Sequence, residues 1–471
     1  MSHARVKALK EDGKTISRKA KKSGRASGKL TPSDGSPMTS LLASPSPSHS
    51  KNPSRAASDV SEEDDDASSF DSYNTYGDEF LKNFQDHPNG SDGGEGSGVD
   101  SAALIEQLQD RKNNNGETRE RHLEIYNSYL RTRYAPETHE WLEDAASTLA
   151  ELFLKDSNRG PTARERLLSL QAYCLTISTA ESVDIYATGS KTLKAILTDD
   201  DDDDCRVCAV NALCMTTLYG GGGEEEALDL MEYFIEIIQS DGETIGAYDN
   251  VVLVHAIIQG WAFVASHVDD FSDFAEVAMD SFVDQLESGD AEVQAASANC
   301  IALIFEASRN HEDENGEPFQ LPYDPQRLVG RIGELAKVTA RATSRKERRG
   351  LRESLVSVVT SLEQGVGPFF STVLYMPLGD DMKNIPKWMR VPDGRAMEGY
   401  RHKLRLGGSV AIVDTWSLYC RVNMMKTIFR GGLQRHAFDN PIVSSCLDDA
   451  NWESNWDEGV DAKLTKARQR A

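Results

Sequence analysis

Three stretches carry residue types that could do chemistry. Residues 199–204 are six consecutive aspartates, the oxygen-donor type that hard cations take. Cys205 and Cys208 stand at CxxC spacing, which serves zinc sites and redox pairs. Residues 93–98 (GGEGSG) and 220–223 (GGGG) have the glycine density of phosphate-cradling loops. Each fails on context. In an EF-hand loop the central glycine and terminal glutamate would fall where this chain has Asp204 and Val210. An acidic loop whose last members face the positive start of the next helix explains the run without an ion. The CxxC has no second pair or matching histidines at finger spacing and no βαβ surroundings, so it reads as a helix start. Neither glycine run follows a strand, which a pyrophosphate loop requires. Walker, GxSxG and HExxH motifs are missing. His255 and His267 stand among apolar residues on helices, as hydrogen-bonded structural imidazoles do. No constellation supports catalysis, and we expect no enzyme activity, cofactor, metal or small-molecule substrate.

The basic residues are more informative. Arg341, Arg345, Lys346, Arg348, Arg349 and Arg352 crowd around one helix start. Residues 383–435 hold eleven basic and three acidic side chains in a chain whose net charge is −25. Lys463, Lys466, Arg468 and Arg470 close the sequence on good helix formers. A phosphate backbone would match this charge, with counterion release making binding salt-sensitive. The alternative for any one cluster is a charged ridge paired with the chain's own carboxylates.

Elements that could position these groups emerge from composition and period. Residues 1–100 are poor in aliphatics and rich in Ser, Gly, Pro, Asp and Lys, so a disordered arm is expected. The arm is basic first, with ten Lys or Arg against two acids in residues 1–29, and then acidic, with twelve acids against one Lys in 62–100. It carries four Ser/Thr-Pro sites, beginning at Thr31 and Ser36, which make it a phosphorylation target, and residues 18–22 (RKAKK) read as an import signal, a weak polyanion contact or a solvated tail. From 101 to 365 apolar residues recur at three and four spacing, as at Phe274, Ala278, Phe282 and Leu286. Cap-type residues at Thr118, Thr162, Asp204, Asp249 and Asp290 mark candidate starts of helix pairs, separated by 44, 42, 45 and 41 residues. That is the period of armadillo and HEAT units. Thr162-x-x-Glu165 and Ser344-x-x-Glu347 have the form of capping boxes. Residues 251–265 are apolar nearly all round, which suits a helix covered on both sides. The fold class is therefore all-α: an armadillo/HEAT-like α-solenoid over 101–365, a disordered arm over 1–100, and a small, mainly helical C-terminal module over 366–471. Within that module, residues 403–406 and 410–413 around Gly407-Gly408-Ser409 predict a hairpin, and Asp414 is expected to cap a helix running towards Gly431-Gly432.

Leu404-Arg405, Ile412-Val413-Asp414-Thr415-Trp416, Arg421, Gly431-Gly432, His436 and Asn440 together resemble the C-terminal domain of the interferon-related developmental regulator family. Thr118-Arg119-Glu120, residues 167–175 and Asp204-Cys205-Arg206 are similar to that family's armadillo-like N-terminal domain. The resemblance implies a non-enzymatic regulator of gene expression. Such proteins are described as transcriptional co-regulators contacting co-repressor complexes, and some associate with non-translating ribosomes. The final stretch looks like the basic tail of animal members, although it is shorter here and follows an acidic segment.

Two functions follow as expectations. In the first, the chain docks on a ribonucleoprotein, the ribosome above all, through its cationic C-terminal module, with Lys463, Lys466, Arg468, Arg470, Arg345, Lys346, Arg348 and Arg349 pairing with rRNA phosphates. In the second, it is a nuclear co-regulator whose solenoid binds co-repressor proteins. The longest apolar stretch is broken by His255, Gln259 and Gly260, so no membrane span is expected. The N-terminus has no apolar signal core, and seven cysteines within helical patterns suit reduced thiols; a cytoplasmic or nuclear location is expected.

Overall fold

The computed structural model describes residues 101–134, 136–181, 183–248, 250–315, 319, 321–338, 345–375, 396–400, 402–406 and 409–454. These all belong to one compact unit. The arm over 1–100, with its Ser/Thr-Pro sites and the basic run 18–22, lies outside the described residues.

Among the described residues twelve α-helices form the repeat region: α1 Ser101–Gln109, α2 Gly116–Thr132, α3 Pro136–Arg159, α4 Ala163–Ile177, α5 Tyr186–Asp199, α6 Asp203–Tyr219, α7 Glu224–Gln239, α8 Val251–Ala265, α9 Ser272–Gln285, α10 Ala291–Asn315, α11 Pro325–Val338 and α12 Arg345–Gln364. Antiparallel pairs form from α3 with α4, α5 with α6, α7 with α8, α9 with α10 and α11 with α12. The second helices pack side by side as a continuous layer, α2-α4-α6-α8-α10-α12, while the first helices form a looser layer behind them. This is the expected α-solenoid.

The period is genuine but its phase differs from the expectation. The side-chain caps stand at Asn115, Thr162, Asp202 and Asn250, with Asp290 accepting from Glu292 and Val293 before α10. They start the second helix of each pair, not the first. Asp249 lies outside the described residues and the neighbouring Asn250 supplies the cap. Thr162 accepts from the Glu165 amide at 3.0 Å, but the Glu165 carboxylate does not complete the box. It turns instead to Arg119, 3.1 Å away.

The tight layer is pinned by a repeated polar rung. Tyr126 on α2 meets Thr176 Oγ1 at the end of α4 at 2.7 Å, and Tyr173 on α4 meets Thr216 Oγ1 on α6 at 2.9 Å. Tyr219, ending α6, meets His267 Nε2 just past α8 at 3.0 Å. Tyr126 and Tyr173 are buried and Tyr219 is partly so; a phenol buried without a partner would cost on the order of 1–3 kcal/mol, so the rungs fix which turn faces which. At the N-terminal end Arg119, buried on α2, pairs with Asp156 of α3 and Glu165 of α4 and donates to Leu108 O of α1 at 2.9 Å. Arg206, buried on α6, donates to Leu197 O and Ile245 O at 2.8 and 2.6 Å. Both arginines belong to the stretches that carry the N-terminal resemblance, and both act as framework.

Beyond α12 come strands β1 Ser371–Tyr375, β2 Ala396–Tyr400, β3 His402–Leu406, β4 Ser409–Val413 and β5 Asn451–Ser454, and helices α13 Trp416–Phe429, α14 Leu433–His436 and α15 Pro441–Cys446. The expected hairpin is β3-β4, with Leu406 opposite Ser409. Strand β5 adds to β4 to complete a three-stranded sheet, and β1 pairs with β2. The cap of α13 is Thr415, which accepts from Leu418 N at 3.1 Å; Asp414 instead accepts from Asn451 Nδ2 at 2.7 Å and ties β5 to the end of β4.

Candidate functional site

Helix α13 lies against the tight layer, touching α2, α4, α8 and α10. A helix leaves its first amide donors and last carbonyls without internal partners. Here the C-terminal segment and the repeats satisfy one another's ends. Glu306, buried on α10, accepts from Trp416 N and Ser417 N at 2.8 and 2.9 Å, a carboxylate at the positive start of α13. Burial pushes the Glu306 pKa above the usual carboxylate range, and those two amides hold it back. The fully buried Trp416 ring donates from Nε1 to Ser361 Oγ of α12 at 2.8 Å.

Carbonyls at the opposite ends of three inner helices are taken in turn. Ser266 caps α8, and its carbonyl accepts from Arg421 Nε at 3.0 Å and from Ser417 Oγ at 3.2 Å. Arg421 also pairs with Asp449 at 2.8 Å. Ser178 caps α4, and its carbonyl accepts from Asn440 Nδ2 at 2.9 Å. Arg131 in the last turn of α2 offers its carbonyl to His436 Nε2 at 3.2 Å, while its own Nε donates to Ile428 O at 3.3 Å in the last turn of α13. Asn440 uses its whole amide: Oδ1 accepts from Ile442 N and Val443 N, starting α15, and Nδ2 meets His436 Nδ1 at 3.1 Å. Since the amide is the donor there, His436 Nδ1 accepts and Nε2 carries the proton. Burial lowers the His436 pKa to about 4. Gly432 has no room for a side chain, because a Cβ would stand 1.8 Å from Arg131 O, whereas Gly431 faces open space.

The residues that carry the C-terminal resemblance therefore meet along one seam. Trp416, Arg421, His436 and Asn440 bind the repeats, and Asp414 binds β5. Leu404 is buried in β3, with Arg405 exposed beside it. Sequence reading missed the partners Glu306, Arg131, Ser178, Ser266 and Ser361. Glu306 had a signal, as a single acid directly after the apolar run of residues 301–305. Backbone acceptors have none.

Outward from the seam, Lys403, Arg405 and Arg435 are exposed. Phe438 and Trp452 meet at a tilt of 45° with centroids 5.0 Å apart while 54% and 39% exposed. Arg345, Lys346, Arg348 and Arg349 occupy the start of α12, and their side chains lie outside the described residues, as do Lys463, Lys466, Arg468 and Arg470 altogether. The aspartate run spans the end of α5 and the start of α6, with Asp202 as cap and Asp200 holding Arg166 at 2.8 Å. Cys205 is buried there, its thiol 3.5 Å from Ala163 O. Among the described residues no group of three or more His, Cys, Asp or Glu is arranged to hold a metal, and no helix is long and apolar enough to cross a membrane.

The sequence pattern of the interferon-related developmental regulator family matches residues 96–363. The chain belongs to that family. The matched span coincides with helices α1–α12, the repeat region that α13 to α15 cover. An uncharacterized protein of Schizosaccharomyces pombe is 21% identical over 343 residues, 69% of this chain and 69% of its own length. Membership of that family supports a regulatory role.

Proposed function

We propose that the protein is a non-enzymatic regulator of gene expression that docks on a ribonucleoprotein, foremost the ribosome, through its C-terminal module. Segregation of charge carries this reading. Residues 207–308 contain no Lys or Arg and nineteen acids, so α7 to α9 repel phosphates. Beyond these repeats, 341–352, 383–435 and 463–470 hold 21 of the chain's 51 Lys and Arg. A polyanion would be steered away from the middle repeats and onto the C-terminal module. The exposed Phe438–Trp452 pair supports the same reading, since unstacked bases lie on aromatic faces and basic side chains track the backbone.

The seam matters to this mechanism because it fixes the module to the repeats, so occupancy of the particle positions the repeats on it. Lys463, Lys466, Arg468 and Arg470, with Arg345, Lys346, Arg348 and Arg349, would supply phosphate contacts. Sedimentation of the tagged protein in lysate, at low and high salt and with and without ribonuclease, tests it. Salt-sensitive comigration with ribosomal particles is expected, with the quadruple Ala variant of 463, 466, 468 and 470 binding more weakly and with a shallower salt slope. Migration near the top of the gradient at every salt overturns the ribosomal reading and leaves nuclear co-repressor proteins as the partners to test.

A further inference from the structure

The looser layer of the solenoid holds a feature that phosphate docking does not use. Helices α7 and α9 are neighbours there, and between them lies a groove lined by Met231, Ile235, Trp261, Phe274 and Val277, with Glu232 and Asp273 on its rim. Val277 is 49% exposed, and Phe274 is partly so. Trp261 forms the floor, held edge-on against Phe271 and Phe282 at 6.0 and 4.8 Å, so the floor is preformed. Asp229, Glu236, Glu276 and Asp280 are exposed on the same two helices, and neither helix contains a Lys or Arg.

We infer that the α7/α9 groove docks a Lys/Arg-rich segment of a partner protein, one bearing an apolar side chain that enters against Trp261, Phe274 and Val277. Charge selects the class of occupant. In a chain of 51 basic residues none falls between Arg206 and Arg309, so α7, α8 and α9, which form the groove, carry carboxylates and no cation. Complementary charge speeds encounter and fixes register, while a seated apolar side chain lengthens residence. A nucleic acid is excluded by the same field. The apolar floor distinguishes the groove from a merely acidic surface, because it demands a hydrophobic anchor at a defined place in the basic segment. This inference is independent of the ribonucleoprotein reading, which concerns the opposite end of the charge distribution.

The test is fluorescence anisotropy on the full chain with three labelled probes: a 15-residue Lys/Arg-rich peptide with one central Leu, the same peptide with Ser in that place, and an oligouridylate of equal length. The Leu peptide is expected to bind with salt-dependent affinity. Glu232→Lys with Asp273→Lys should weaken it at least tenfold. A control with the same charge change at exposed sites elsewhere, Glu117→Lys with Asp144→Lys, should change it less than threefold. The Ser peptide should bind about tenfold more weakly, and the oligouridylate should be insensitive to the groove variant. All four substitutions are at exposed positions, so folding is preserved and can be checked by circular dichroism. Equal loss in both charge variants, or equal binding of the Leu and Ser peptides, overturns the proposal. So does binding that appears only after residues 1–29 are removed, which would make the chain's own basic arm the occupant.

Discussion

Asn440 donates from Nδ2 to the carbonyl of Ser178 at 2.9 Å, closing a contact across 262 residues of sequence. The same amide nitrogen meets His436, and the amide oxygen starts α15, so one side chain couples the end of a repeat helix to the start of a C-terminal one. Every polar atom of Asn440 is used, and the residue is fully buried.

Asn440→Ala should therefore destabilise well beyond an average substitution. It leaves the Ser178 carbonyl, His436 Nδ1 and two amides of α15 without a partner inside the protein. Each such loss costs about 1–3 kcal/mol when the group stays buried, although relaxation and water entry will recover part. We expect a net loss of about 3 kcal/mol in urea unfolding, and proteolytic cleavage first near residues 433–447. An unchanged midpoint would mean that α15 is held by its apolar contacts alone.

Two adjacent glycines offer a sharper contrast. Gly432→Ala would drive a methyl group into the Arg131 carbonyl, 1.8 Å from where its Cβ must go, and either the backbone of α2 or that of 430–433 has to shift. Gly431→Ala meets nothing within 4 Å. The first should cost about 3 kcal/mol, at the upper end of overpacking effects, and the second less than about 0.5 kcal/mol. Thermal unfolding of the pair, measured side by side, checks the seam at single-residue resolution.

Much of this architecture was legible because helical period and cap chemistry are local. Thr162 was readable as a cap, and residues 251–265 as a covered helix, from side chains within one turn. Which helix of each pair a cap begins was not, since Asn115 and Asp290 look alike whether the next helix joins the tight or the loose layer. The C-terminal resemblance picked out Trp416, Arg421, His436 and Asn440 without their roles. Their partners are mostly main-chain carbonyls, which every residue possesses, and only the fold chooses among them. Asp414 was misread because Asp and Thr both cap helices well, and the adjacent Thr415 won once Asn451 engaged the carboxylate.

The N-terminal framework makes its own prediction. Arg119 is buried between Asp156 and Glu165, and Arg111, which also reaches Asp156, is much more exposed. Arg119→Met keeps the volume and removes the charge, leaving two buried carboxylates to the more exposed Arg111 alone. Breaking such a pair from one side costs about 3–5 kcal/mol, because the remaining charge stays desolvated. Adding Asp156→Asn to that variant should recover part of the loss. A double variant no more stable than the single one would show that Arg111 already neutralises Asp156.

Acid should loosen the seam through His436. Its pKa is lowered by burial from 6.5 to about 4, so between those values the unfolded chain binds a proton that the folded chain does not. The stability linked to this group is complete above pH 6.5 and is lost as pH falls towards 4, at up to about 1.4 kcal/mol per pH unit. The geometry gives the reason: a proton on Nδ1 would face the donating amide of Asn440, with Nε2 already committed to Arg131 O. His267, whose pKa is also lowered to about 4, adds in the same direction, because its Nε2 accepts from Tyr219. Melting temperature measured from pH 7 to 4.5 should fall throughout this window. His436→Gln is expected to lower stability at pH 7 but to flatten the slope, since glutamine has no proton to gain. A slope identical to that of the parent protein would remove His436 from the account of acid sensitivity and leave the lock on Asn440 alone.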